Sequence, residues 1–312
     1  MLPARVRRIL ILPVLIWVLL SELSVGAAAP GKVRVIATVF PLAEFAREIG
    51  GARAEVRMLL PPGADVHTWQ PRASDIRGLE TADLLLFVGS GLEPWLGSLL
   101  KGADTSRLTR FEAAAGRDLL PSAPDADEHD ADHGHGAFDP HIWLDFRTDR
   151  GIADDIAAAL AKLDPAGAPE FLRAAEDLKS RLNALDAAYE KGLGPCRGRD
   201  FILGGHAAFA YLARRYGLRQ VAVYGASPDA APTPRETAAI IARASKEKTT
   251  TIFYEPGVGD KMARLIAAET GARVRVLYPG HNITPEQAKA GETFFRLMEA
   301  NLESLKNGLG CR

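Results

Sequence analysis

Val33–Gln70, VRVIATVFPLAEFAREIGGARAEVRMLLPPGADVHTWQ, holds a strand, a helix, a second strand and a histidine loop in one run. Val33–Val39 is rich in β-branched residues, which suit a pleated, buried surface. Pro41 opens a helical stretch that closes at Gly50, the usual placement of proline and glycine about a helix. Ala54–Leu60 reads as a second strand, stopped by Pro61-Pro62-Gly63. The alternation continues with a helix over Arg72–Thr81, an apolar strand over Asp83–Val88 and a short helix over Glu93–Leu100. Such alternation predicts a mostly parallel sheet covered on both faces.

From about Gly116 to Phe138 the composition turns to Pro, Ala, Asp, Glu, His and Gly, with five acidic residues and three histidines between Asp125 and His135. A segment so poor in apolar residues has little to bury and reads as a mobile loop. Arg150–Leu163 and Glu170–Leu193 then read as helices. A helix of about 24 residues spans roughly 36 Å, enough to cross between two bodies. Beyond Cys196 the alternation resumes, with strands over Asp200–Leu203, Arg219–Tyr224, Thr249–Tyr254 and Arg273–Tyr278. Helices are expected between these strands, and a last amphipathic one over Pro285–Leu305.

The predicted fold class is therefore α/β. Two lobes, each a mostly parallel sheet with flanking helices, are joined by a long rigid linker helix, with a metal site in the cleft between them. The divisions are a leader over 1–27, an N-terminal lobe over 32–146 that includes the acidic loop 118–138, linker helices over 147–194, and a C-terminal lobe over 195–312.

The leader is read from Arg5, Arg7 and Arg8, the broken apolar run Ile9–Leu20, and the small residues Val25–Ala29. Together these make an export signal cut after residue 27 or 28. The run is shorter than the roughly 20 residues a bilayer span needs, and no cysteine follows it to carry a lipid. An exported chain without a membrane anchor, in the periplasm, is the expectation. Roughly 285 residues remain, more than one typical core. No basic patch with interleaved aromatics points to nucleic acid. Cys196 and Cys311 in an oxidising compartment read as a disulfide.

The seven histidines carry the chemistry. His67, His206 and His281 follow strand ends, His141 follows a proline beyond the acidic loop, and His129, His133 and His135 lie within that loop. Ligands of open α/β sheets bind outside the carboxyl ends of the strands, and four imidazole nitrogens can close a tetrahedral zinc site. A histidine at a strand end is commonly just a hydrogen-bonded surface residue. Four of them shared between two lobes argue for a site. His129, His133 and His135 would bind metal only as accessories, because a flexible loop imposes no geometry. Trp69 and Trp143, each two residues past a candidate ligand, read either as an apolar shell or as ordinary packing. Glu255 either orients a ligand or caps the helix that follows it.

These segments resemble a known family. PPGADVHTWQPRASDIRGLETADLLLFVGSGLEPWL (61–96), DPHIWLD (139–145), GGHAAFAYLARRYGL (204–218) and ETFFRLMEANLESL (292–305) are similar to the metal-binding cluster of ABC-importer solute-binding proteins. Within that cluster, which includes manganese binders and cell-adhesion proteins, they look like the periplasmic zinc-binding type. The resemblance implies metal ligands at His67, His141 and His206. Histidine at 206 favours zinc, since related manganese binders carry glutamate there and carboxylates suit Mn²⁺ better than imidazole does. The family's Asp-Pro after the last strand is replaced here by Tyr278-Pro279. His281, water or a three-histidine site are the alternatives for the fourth position.

The leading expectation is a monomeric binding protein, not an enzyme, that captures Zn²⁺ as cargo for an ABC permease and its ATPase. A zinc hydrolase, a periplasmic zinc buffer or metallochaperone, and manganese or iron as the metal are the competing readings. Neither H-E-x-x-H nor G-x-S-x-G occurs in the chain, which counts against hydrolysis.

Overall fold

The computed structural model describes residues 31–122, 137–225, 232–257 and 259–311. The expected leader and His129, His133 and His135 lie outside those residues. In the N-terminal half, β1 (Val33–Ala37), β2 (Ala54–Met58), β3 (Leu84–Phe87) and β4 (Thr109–Glu112) form a parallel sheet in the order β2-β1-β3-β4. Helices α1 (Phe40–Gly50), α2 (Ala73–Thr81) and α3 (Leu96–Lys101) make the crossovers that parallel neighbours require. Two helices follow, α4 (Phe146–Leu163) and α5 (Ala168–Leu193).

The C-terminal half repeats the plan. Its strands β5 (Asp200–Leu203), β6 (Arg219–Ala222), β7 (Thr251–Tyr254) and β8 (Arg273–Val276) run parallel in the order β6-β5-β7-β8. Between them lie α6 (Ala210–Tyr216), α7 (Pro234–Lys246) and α8 (Lys261–Thr270), and the chain closes with α9 (Pro285–Lys289) and α10 (Phe294–Leu309). Register aligns the strand ends: Ala37 pairs with Met58 and Leu86, and Leu203 with Ala222 and Phe253. The loops that follow therefore leave each sheet along one edge.

Helix α5 joins the halves. Its 26 residues span about 39 Å. It buries Phe171, Ala175, Leu178, Leu182, Leu185, Tyr189 and Leu193, a stripe at helical spacing. The helix packs on α1 and α4 and, as a second contact, on α6 and α10. Tyr189 ties the two contacts together: its ring meets Phe146 of α4 and Tyr216 of α6 edge-on or tilted, with centroids 5.0 and 5.1 Å away. Full burial of each large apolar side chain contributes about 1.5–3 kcal/mol. One continuous apolar cluster includes Phe45, Phe146, Phe171, Phe201 and Phe294 and so runs through both halves. Cys196, just past α5, is bonded to Cys311, just past α10. Among the described residues no helix is long and apolar enough to cross a membrane.

Several elements differ from the sequence expectation. Strand β4 was not foreseen, because Thr109–Glu112 (TRFE) is a short, charged edge strand with only alternate residues partly buried. The terminal helix is broken into α9 and α10 at Gly291, whose φ of +65° no continuing helix allows. Helix α3 starts at Leu96 rather than Glu93, since the Glu93 carboxylate turns back to accept Thr38 Oγ1 and the amides of Val88 and Gly89. The described ends of the acidic loop are joined: Asp139 N donates to Leu120 O (2.8 Å), and Ser122 N to Ala137 O (3.1 Å).

Candidate metal centre

His67 sits on the loop after β2. Asp65 Oδ1 accepts the amides of His67 (2.9 Å) and Thr68 (3.2 Å), so the turn is closed by its own aspartate. Trp95 Nε1 donates to Val66 O at 2.8 Å, fixing the residue beside the histidine. Trp69 packs edge-on against Trp95, with ring centroids 4.6 Å apart.

His141 precedes a short turn of 3₁₀-helix, Ile142–Leu144. Asp139 Oδ1 lies 2.8 Å from both His141 N and His141 Nδ1. Trp143 lies against the imidazole, with centroids 5.3 Å apart, and its Nε1 donates to Pro279 O (2.7 Å).

His206 follows β5 and the pair Gly204-Gly205. A side chain at Gly204 would lie 2.6 Å from the Ala263 amide nitrogen, and one at Gly205 would strike the Glu255 carboxylate. Both glycines are therefore required by close approach. Glu255 Oε1 lies 2.7 Å from His206 N and 2.7 Å from Nδ1. Burial lowers the His206 pKa, but the charge and hydrogen bond of Glu255, helped by Asp65 and Asp139, outweigh it and leave it raised.

In both His141 and His206 a carboxylate accepts from Nδ1, which places the proton there and leaves Nε2 as a lone pair. Those two Nε2 atoms are 3.2 Å apart. The His67 ring lies 5.8 Å from His141 and 5.5 Å from His206, centroid to centroid. One nitrogen from each of the three falls within 4.8 Å of the others, and all three residues are buried. This trio could hold a metal ion.

His281 stands beside the trio rather than inside it. Its ring is 6.3 Å from His67 and 6.1 Å from His206. Burial, then repulsion from His206 and His141, pushes its pKa well below the ordinary value, so it is a neutral imidazole. Its Nδ1 is buried without a hydrogen-bond partner, a cost of about 1–3 kcal/mol that a nearby cation would offset. Tyr278 is not a rival: burial raises its phenol pKa, and Asn301 grips its backbone N–H and C=O, each at 2.7 Å.

Of the residues singled out from sequence, Trp143 touches a histidine of the trio, whereas Trp69 packs on Trp95. Glu255 bonds His206. Asp139, Asp65 and Trp95 were missed. The two aspartates carried a signal, since Asp-x-His occurs at 65–67 and again at 139–141. Trp95 carried none, as its partner is 29 positions away.

Residues 35–308 match the family described as zinc-uptake complex component A, periplasmic. The chain belongs to that family. Zinc-uptake component A proteins are solute-binding transport proteins. Zinc-binding lipoprotein AdcA of Streptococcus pneumoniae is 33% identical over 282 residues, covering 89% of this chain and 56% of that protein. The chain thus spans about half the length of this relative. The high-affinity zinc uptake system protein ZnuA of Bacillus subtilis is 30% identical over 281 residues, covering 89% and 88%. The Zn(II)-bound ZnuA-like domain of S. pneumoniae AdcA superposes with a TM-score of 0.76 at 31% identity, over 89% of this chain and 99% of that domain. The laminin-binding protein of Streptococcus agalactiae, described as both adhesin and metal transporter, gives 0.78 at 29%, over 89% and 99%.

Proposed function

We propose that this chain captures Zn²⁺ outside the cytoplasm and hands it to the permease of an ABC importer driven by its ATPase. His67, His141 and His206 supply three nitrogens and His281 the fourth. The lobes are residues 32–146 and 195–312, joined by the helices of 147–194, and the mature monomer works in the periplasm. The observation that carries this reading is the pair of Nε2 atoms 3.2 Å apart, each on a ring whose Nδ1 is held by a carboxylate. Asp139 and Glu255 act as the outer partners that fix tautomer and ring orientation around a histidine-bound metal.

Four nitrogens suit Zn²⁺ better than Mn²⁺, which favours carboxylate oxygen. The same geometry argues against a hydrolase. A catalytic zinc needs a base beside its water, and the carboxylates here are engaged, Asp139 and Glu255 by imidazole Nδ1 and Asp65 by the amides of His67 and Thr68. Cargo leaves when its ligands are drawn apart, and protonation of the imidazoles favours release.

The reading is tested by offering the mature protein Zn²⁺, Mn²⁺ and Fe²⁺ in competition and measuring what stays bound. One tightly held zinc is expected. His67→Ala, His141→Ala and His206→Ala should each weaken it sharply, and His281→Ala by less, because water can take the fourth position. Preferential manganese retention, or unchanged zinc affinity in His206→Ala, would sink the proposal.

A further inference from the structure

The segment Pro279–Ile283 of the C-terminal half is stitched to three separate parts of the N-terminal half. Trp143 Nε1 donates to Pro279 O (2.7 Å), Phe40 N to His281 O (2.9 Å) and Gly63 N to Ile283 O (2.8 Å). Asn282 adds side-chain hydrogen bonds that come from the segment itself. Its Nδ2 donates to Pro61 O (2.7 Å) and to Ala64 O (2.6 Å), while its Oδ1 accepts Ile283 N (2.8 Å). Two carbonyl acceptors on one side and an amide donor on the other leave a single orientation for the side chain.

The placement is specific. Asn282 follows His281 directly, and the two carbonyls it grips belong to the loop that carries His67. His141 and His206 are each braced within their own half, by Asp139 and Glu255. The His67 loop, closed within its own half by Asp65, is also braced against the His281 loop. A small cavity of about 50 Å³, lined by Gly63, Ala64, Asp65, Glu255, His281 and Asn282 among others, lies on this side of the trio. A metal leaving through that side must part the two loops, and parting them breaks both Asn282 bonds.

We propose that Asn282 is a positioning residue that sets how long the metal stays bound, acting as a latch between the His67 and His281 loops. The proposal rests on the zinc-capture reading above. The latch works on release: capture begins with the loops apart, so its loss should show in the dissociation rate, where most affinity differences between related complexes lie.

The test is stopped-flow release of Zn²⁺ to an excess of chelator, with association measured in parallel, for wild type, Asn282→Ala and Asn282→Asp. Deleting two hydrogen bonds predicts release about ten- to thirtyfold faster for Asn282→Ala, with association within about twofold. Asn282→Asp should release faster still, because a carboxylate would face two carbonyl oxygens. Wild-type release rates in both variants, even with lowered melting temperatures, would show an ordinary structural asparagine and overturn the latch alone. Failure of the wild type to hold zinc would bring down the zinc reading and the latch together. Hydrogen exchange on the wild type serves if the variants do not fold. The Gly63 and Phe40 amides should exchange at least about tenfold more slowly in zinc-loaded than in zinc-free protein. Equal exchange would overturn the proposal.

Discussion

His141 Nε2 and His206 Nε2 lie 3.2 Å apart, and with each Nδ1 proton donated to its carboxylate the neutral rings turn a lone pair toward each other. Two lone pairs at that distance repel each other. Two nitrogens on a tetrahedral zinc at about 2.05 Å are separated by about 3.3 Å. The protein thus holds its imidazoles near the spacing a bound ion requires, and the carboxylates behind them enforce it.

Glu255→Gln tests that enforcement. The amide keeps the size and one acceptor oxygen but loses the charge that raises ligand basicity. Zinc affinity should fall about 10- to 100-fold in chelator competition. An affinity equal to wild type would mean that β5 and its glycines alone position His206.

Asp149, in the first turn of α4, is buried with neither carboxylate oxygen hydrogen-bonded. Burial first, and then repulsion from Asp145, raise its pKa well above the ordinary value, with Arg117 opposing. The folded state therefore binds the proton more tightly than the unfolded chain. Asp149 lowers stability progressively as pH rises from its unfolded pKa, about 3.9, through its folded one. Asp149→Asn should gain about 1–3 kcal/mol at pH 7 and nothing near pH 3. Thermal melts at the two pH values check this, and a loss at pH 7 would refute it.

The Cys196–Cys311 bond closes a separation of 115 residues. In the chain-entropy account, constraining so long a loop contributes about 4–5 kcal/mol. Urea unfolding of the Cys196→Ser/Cys311→Ser protein should show a loss of a few kcal/mol, with zinc affinity little changed because neither residue approaches the trio.

Helix α5 is packed on both halves along its length, and no interior turn can bend without giving up backbone hydrogen bonds. Zinc-free and zinc-loaded protein should therefore have nearly equal radii of gyration by small-angle scattering. Marked compaction on adding zinc would show that α5 is a hinge.

The sheets and the long helix were legible because Pro, Gly and β-branched runs punctuate the chain wherever an element begins or ends. Strand β4 was not, because a charged edge strand lacks the apolar run that marks β1 and β3. The break at Gly291 was hidden by apolar periodicity that continues across it. The positions of His67, His141, His206 and His281 in loops could be read directly, but their distances could not. What sets the distances is mostly remote: Glu255 lies 49 positions from His206, and Asn282 lies 218 from Ala64. Such pairs exist only after the chain has folded.

The apolar cluster that passes from Phe45 through Phe171 on α5 to Phe201 and Phe294 has a thermodynamic consequence. The C-terminal sheet has a small apolar cluster of its own, including Ile202, Ile252 and Ile266, but its Phe201, Leu203 and Phe253 belong to the shared one, so neither half should melt while the other stays intact. Calorimetry should record a single transition whose van't Hoff and calorimetric enthalpies agree. Two bodies that look independent in outline behave as one cooperative unit.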